Sequence, residues 1–275
     1  MHARLPKNFV LEERLKRYER AIELMPQSWR GIWKHAAAPL GQAPFSALYL
    51  DIGCGKGASL VEVARAHPER LVIGIDAEPI CIAYAAQAIY EHKLSNALVI
   101  PARANQVCQL FAEHEVDYIS LSFPTPFPRK KQAALRTTQL DRLLEYKHVL
   151  ATNGQLLLRT DSQPFLDFSL TQLHGAGFSI RLLSHNLRRD MPELPVSEYE
   201  RKLSAEGAVT LGLIAEPSGP ATPDMIQTAR TAEQSLFAYI PDNLYEDAYI
   251  PHGMSWAIQA FRYRRANQER KAHHA

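Results

Sequence analysis

The chain has 275 residues, 46% hydrophobic and 22% charged, which is enough for one large α/β domain with additions. Its 31 Lys and Arg against 29 Asp and Glu leave a net charge of +2, so any nucleic-acid surface must be local rather than global. Cys54, Cys81 and Cys108 form no C-x-x-C pair, which argues against a zinc site or disulfide framework and fits a reducing cytoplasm. No run of about 18 apolar residues and no leader-like start exists, so a soluble, cytoplasmic protein without membrane contact is expected.

In chain order, residues 8–24 carry an amphipathic helical pattern that Pro26 ends. Trp29 and Trp33 follow, and two tryptophans this close are expected to pack on a sheet rather than offer a stacking platform for bases. Residues 48–57 read LYLDIGCGKG: an apolar strand with one acid, Asp51, then Gly53, Gly55 and Gly57, then a helical pattern over Ala58–Ala66. Strand, glycine-rich turn and helix make the first unit of an open α/β sheet, whose ligands sit outside the carboxyl ends of the strands. A second strand, 71–75, ends at Asp76, where a carboxylate can accept from both hydroxyls of a ribose. A helix over 79–93 and a third strand, Ala97–Pro101, lead to Arg103 and Asn105.

The fourth strand, Val116–Ser122, runs into Phe123-Pro124-Thr125-Pro126-Phe127-Pro128-Arg129-Lys130-Lys131. Prolines at alternate positions forbid helix there and predict a stiff, extended loop at the strand's carboxyl end. A helix over 135–150 and a turn at Asn153-Gly154 precede a fifth strand, 155–159, which ends in Thr160-Asp161. Then come a helix over 166–173, a sixth strand, Phe178–Ser184, a polar segment over 186–207 and a seventh strand over 208–215. Residues 216–223 read as a linker and 224–275 as an appended segment with a basic helix over 254–271. The expected organisation is an N-terminal helical segment, 1–45, an α/β domain, 46–215, and a linker with C-terminal helical extension, 216–275.

Three nucleotide readings compete for the glycine turn. The P-loop spacing is absent, because Lys56 is followed by Gly57. The dinucleotide fingerprint is formally met by Gly53, Gly55 and Ala58 and stays open. The third is S-adenosylmethionine, whose cationic sulfonium an acid beside the turn would attract, whereas the same acid would repel a pyrophosphate. Asp51 favours this third reading.

The succession of strand-end motifs resembles the tRNA (guanine-N7)-methyltransferase family of class I S-adenosylmethionine enzymes. The residues that carry the resemblance are Asp51-Ile52-Gly53-Cys54-Gly55-Lys56-Gly57, Gly74-Ile75-Asp76, the proline loop from Phe123 to Lys130, Thr160-Asp161, and Ser197-Glu198-Tyr199-Glu200. The resemblance runs over about 8–215 and leaves 224–275 outside. The resemblance implies a Rossmann-like α/β fold with a mostly parallel seven-stranded sheet, S-adenosylmethionine as cofactor without a metal, and tRNA as partner. It implies that Asp51, Gly53, Gly55 and Asp76 hold the cofactor, with Arg103 and Asn105 at the adenine. It further implies that Arg129, Asp161, Ser197, Glu198, Tyr199 and Glu200 meet the guanosine and its phosphates, in the variable loop. Monomer and homodimer are both compatible with the sequence.

Three departures from the family pattern bear on activity. Thr125 stands where the family has a proline-loop Asp, Phe127 replaces a Trp, and Arg103 occupies the adenine position, where it cannot accept a hydrogen bond. Guanine N7 carries an in-plane lone pair and no proton, so its methylation needs no general base. Alignment with the methyl donor and stabilisation of positive charge on the purine suffice, and carboxylates facing the base supply both. Thr125 keeps an acceptor but loses a charge; at about 1.5–3 kcal/mol for a charged hydrogen bond, this slows an enzyme about 10- to 150-fold rather than abolishing it. A methyltransferase on another substrate and a catalytically weakened RNA-binding homologue are the alternatives. Simpler roles compete at each position: Asp161 as a helix N-cap, Ser197 and Glu200 as a capping box, Arg129 to Arg136 as a solvated charge run, and the basic C-terminal helix as a docking element.

Overall fold

The computed structural model describes residues 9–36, 38, 41, 43–246 and 248–273. In chain order the elements are α1 (Leu11–Arg17), β1 (Ala47–Ile52), α2 (Ala58–Ala66), β2 (Arg70–Asp76), α3 (Pro79–Glu91), β3 (Ala97–Pro101), α4 (Val107–Leu110) and β4 (Val116–Ser122). They continue with α5 (Leu140–Val149), β5 (Leu150–Thr160), α6 (Gln163–Gly175), β6 (Phe178–Ser184), α7 (Leu187–Asp190), α8 (Glu198–Ala205), β7 (Leu211–Pro217), α9 (Pro223–Thr231) and α10 (Ser255–His273).

One seven-stranded sheet has the order β3-β2-β1-β4-β5-β7-β6. The pairs from β3 to β5 are parallel, while β7 runs antiparallel to both neighbours. The central strands are buried on both faces, as a parallel sheet covered by helices requires. Leu48, Leu50 and Ile52 of β1 enter one core with α5 and α6, while Tyr49 faces the other core with α2 and α3. The strand order reverses between β1 and β4, so the crevice at their carboxyl ends is the natural ligand position in an open sheet.

Several expectations are corrected at element boundaries. The helix expected over 8–24 is the short α1, then a 3-10 turn, and its first residue, Asn8, lies outside the described residues. The chain then turns to dock on β3, with Ile22 bridging Val99 and Glu23 N–H donating to Val99 O at 2.9 Å, which covers an otherwise open sheet edge. Trp33 is fully buried and donates Nε1–H to Leu110 O at 2.8 Å, so it is core, as expected. The helix expected over 135–150 is shorter: α5 starts at Leu140 behind its N-cap Gln139, and Leu135 closes a 3-10 stretch, Lys130–Leu135.

The largest correction concerns the C-terminal segment. The linker expected at 216–223 begins inside β7, and the segment beyond is not appended but part of the main core. Leu236, Ile240, Met254, Ala257 and Ile258 are buried there. Ala257, Ile258 and Phe261 form the inward stripe of α10, with Met254 just before it, while Tyr263 stands exposed and Trp256 half-exposed. Arg262 and Arg265 donate to the carbonyls of Tyr245 and Asp242 at 3.0 Å each, and these contacts fit the docking reading of this helix. Among the described residues, no helix is long and apolar enough to cross a membrane.

Candidate active site

The carboxyl ends of β1 and β2 carry the glycine turn. Gly53 and Gly55 adopt φ of +72° and +55°, and nothing lies within 4 Å of where a Cβ would stand, so bare backbone faces open space. The turn is locked from β2: Gly55 N–H donates to Asp76 Oδ2 at 2.9 Å, Glu78 N–H to Oδ1 at 2.9 Å, and Gly53 N–H to Ile75 O at 2.8 Å. Each Asp76 oxygen therefore keeps one lone pair for a further donor.

Asp51 is 1% exposed, and neither of its oxygens has a hydrogen-bond partner. The Ser120 hydroxyl adjoins Asp51 and lies 2.9 Å from the Ser122 hydroxyl. Burial pushes the Asp51 carboxyl up to about 6, against the downward pull of the Arg159 guanidinium and the Ser120 hydroxyl. An orphaned buried carboxylate beside an open glycine turn suits a cationic ligand with a ribose, and the residues fit an S-adenosylmethionine-type group. Arg103 and Asn105 lie exposed on the loop after β3, whose Ala102 N–H reaches Asp76 O at 3.1 Å.

The other half of the rim is the proline loop. Phe123 and Phe127 take φ of +50° and +47°, conformations that cost about 1–3 kcal/mol each and persist only where surroundings impose them. Phe123 N–H donates to Arg159 O at 2.8 Å, and Arg136 braces the loop at Phe127. Arg136 is fully buried, donates to Pro126 O at 3.1 Å and Phe127 O at 2.8 Å, and reaches Gln234 O of the C-terminal segment at 2.8 Å. Burial lowers its pKa to about 10. The expectation of a solvated or phosphate-facing charge run is thus corrected at Arg136, though Arg129, Lys130 and Lys131 stay exposed. Thr125 is exposed at the loop tip, and Arg129 lies 4.5 Å over the Trp256 ring of α10.

Asp161 follows β5 and does not cap α6; Ser162 does, accepting from Phe165 N–H. Instead, Asp161 Oδ2 accepts from Tyr249 O–H at 3.0 Å and His252 N–H at 3.2 Å. The Tyr199 ring stands edge-on to Phe123 at 5.6 Å and to His252 at 6.3 Å, so β4's loop, β5's end, α8 and the C-terminal segment converge.

Glu200 is corrected. Expected to face the guanine, it is fully buried in a charge network. It pairs with Arg188 through both oxygens, Nη2–Oε2 at 2.9 Å, accepts from Thr210 O–H at 2.8 Å, and lies 3.7 Å from Arg159 Nη1. Ser197 is the N-cap, accepting from Glu200 N–H at 3.1 Å, and Glu198 pairs outward with Lys202 at 2.7 Å. The Ser-Glu-Tyr-Glu motif therefore works as a cap and an anchor, and it leaves Tyr199 at the rim.

Sequence reading missed Arg159, Tyr249 and His252. Arg159 spans the two halves, donating to Ser59 Oγ at 2.5 Å and Ser122 Oγ at 2.7 Å, and an arginine inside an apolar strand was a usable signal. Nothing in the pattern around Tyr249 and His252 pointed to them. A cavity of about 230 Å³ opens beside Asp161 and Tyr249, while one of about 430 Å³ lies away from the rim, between Tyr118, Leu157, Arg159 and Pro195.

Strand order, a glycine turn at the switch point and strand-end acids define the class I methyltransferase fold. The ribosomal RNA methyltransferase KamB has this fold too: its crystal structure superposes with a TM-score of 0.50 at 18% identity, over 64% of this chain and 89% of that one. A methyltransferase family model, described as "Putative methyltransferase", matches residues 46–212. The tRNA (guanine-N(7)-)-methyltransferase of Geobacillus kaustophilus is 32% identical over 71% of this chain and 88% of its own length. Those of Geobacillus thermodenitrificans and Lacticaseibacillus casei are 31% and 30% identical over 71% and 70% of this chain, each matched over 89% of its own length. The chain belongs to the tRNA (guanine-N7)-methyltransferase family.

Proposed function

We propose that this protein methylates N7 of a guanosine in tRNA, in the variable loop, with S-adenosylmethionine as donor. The observation that carries the reading is the convergence of the proline loop, Asp161 and Tyr199 on one rim, next to the glycine turn and its two acids. Asp51 opposes the cofactor's positive charge, Gly53 and Gly55 admit it to the backbone, and the remaining lone pairs of Asp76 accept from its ribose. Asn105 is the side chain after β3 able to accept from an adenine amino group, and the exposed Arg103 beside it cannot.

When bound, the donor supplies an electrophilic methyl: the N7 lone pair forms the new bond, the carbon–sulfur pair leaves with sulfur, and positive charge passes to the purine. Asp161 stabilises that charge and accepts from the base's N1–H and 2-amino edge through Oδ1, since Oδ2 is already occupied. Tyr199 borders the base, Thr125 offers a hydroxyl where charge is missing, and Arg129 with Lys130 meets phosphate. Glu200 is left to hold Arg188 and Arg159 in place. No proton has to be removed, so a rim with one carboxylate suffices. The cytoplasm, where tRNA and free thiols occur together, is the fitting compartment.

Thr125 favours one second reading, a slower member that binds tRNA better than it methylates. Mass spectrometry of nucleosides from tRNA of cells lacking the protein tests the proposal. Loss of 7-methylguanosine is expected, and an unchanged level refutes it.

A further inference from the structure

Residues 249–254 lie beyond the segment matched by the family, 46–212, yet they sit against its expected base-binding rim. Their placement is enforced from both sides and from within: Ile240 precedes them, Met254 ends them, Ala257 and Ile258 follow, and all four are buried in the main core. Met254 N–H closes a tight turn onto Pro251 O at 3.0 Å. Gly253 sits in that turn at φ +80°, and a Cβ there would meet Pro126 Cδ at 3.1 Å, so a glycine lets the turn press on the proline loop.

This turn delivers two donors, Tyr249 O–H and His252 N–H, to a single oxygen of Asp161. A carboxylate oxygen has two lone pairs, so Oδ2 is filled and Oδ1 alone remains for another donor. The carboxylate is thereby fixed in rotation. Without the phenol it would be free to turn toward the cavity of about 230 Å³ that Asp161 and Tyr249 both line. Burial and the Asp161 charge push the Tyr249 pKa well above the ordinary phenol range, which keeps it a donor at working pH.

We propose that Tyr249 is a positioning residue for the methyl transfer, holding Asp161 by Oδ2 so that Oδ1 is presented to the guanine edge. The inference rests on the guanosine reading above and adds to it a functional role for the C-terminal segment. Aligning a charged acceptor in advance lowers the barrier without changing how the rest of the tRNA is gripped.

The test is Tyr249→Phe, which keeps the ring and removes only the hydroxyl, assayed for 7-methylguanosine formation on tRNA under single-turnover and steady-state conditions. The expected result is a fall of about tenfold in kcat, the low end for one charged hydrogen bond. KM for tRNA should change less than about twofold, with an unchanged thermal midpoint. In an Asp161→Asn background, the second substitution should cause no further fall, because Tyr249 acts through the carboxylate. A Y249F enzyme as fast as the parent, or losses that multiply in the double variant, would overturn the role. A faster Y249F enzyme would overturn it too, since the turn would then be a cover that must lift. A parent protein that forms no 7-methylguanosine refutes the reaction itself, whereas an active parent with an equally active Y249F refutes only the role of Tyr249.

Discussion

The two halves of the carboxyl rim are built in opposite ways. The β1–β2 half is local: a strand, a glycine turn and one acid from the next strand, with Asp76 tying Gly55 by a single 2.9 Å bond. The β4–β5 half is assembled from a proline loop, a strand end, a helix start and a C-terminal turn that are far apart in the chain, held by Arg136, Arg159 and the Tyr249–Asp161 contact. One half keeps a buried acid without protein partners; the other buries its acid, Glu200, among arginines. An unsatisfied carboxylate is poised for a ligand, and a saturated one is a structural anchor. The same residue type at two strand or helix ends thus does different work according to what already occupies its lone pairs.

Substitutions at the two acids test this contrast most strongly. Glu200→Ala should lower the unfolding free energy by about 3–5 kcal/mol, because the buried Arg159 and the partly buried Arg188 lose their counter-charge; chemical denaturation measures it, and a change below about 1 kcal/mol would show that Glu200 is no anchor. Asp51→Asn should do the reverse in the ligand-free protein. The folded carboxyl titrates at about 6 against an ordinary 3.8, so folding takes up a proton between these values. Stability therefore falls as pH rises through that window and levels above it, by about 3 kcal/mol in all. The Asn variant should lack this slope and be more stable at pH 7, yet bind S-adenosylhomocysteine or its methylated parent no better. A slope that survives the substitution would assign it to another group.

Asp76→Ala probes the local half alone. It should weaken S-adenosylhomocysteine binding by about 100-fold in calorimetry, the loss of one to two charged hydrogen bonds. Thr125→Asp restores the charge that the proline loop lacks and should raise turnover by about tenfold; a large fall instead would mean that this loop approaches the base differently. Smallest is Ser197→Ala, which removes an N-cap and should cost about 1 kcal/mol in a thermal or chemical melt, with little effect on cofactor affinity.

The amino-acid sequence determined the α/β fold, the strand succession and the glycine half of the rim, because periodicity, glycine and strand-end acids are local signals. It also marked the proline loop and Asp161 as rim residues. It could not decide the fate of Glu200 or Arg136, since a charged residue reads alike whether it meets solvent, ligand or a buried partner. The distinction depends on Arg188, Thr210, Gln234 and the carbonyls of Pro126 and Phe127, none of which is set by spacing. Nor could it show that residues 234–246 and 248–258 fold back into the main core. Their apolar positions announce only that something must be buried, and tertiary packing alone brings Tyr249, distant in sequence, to within 3.0 Å of Asp161.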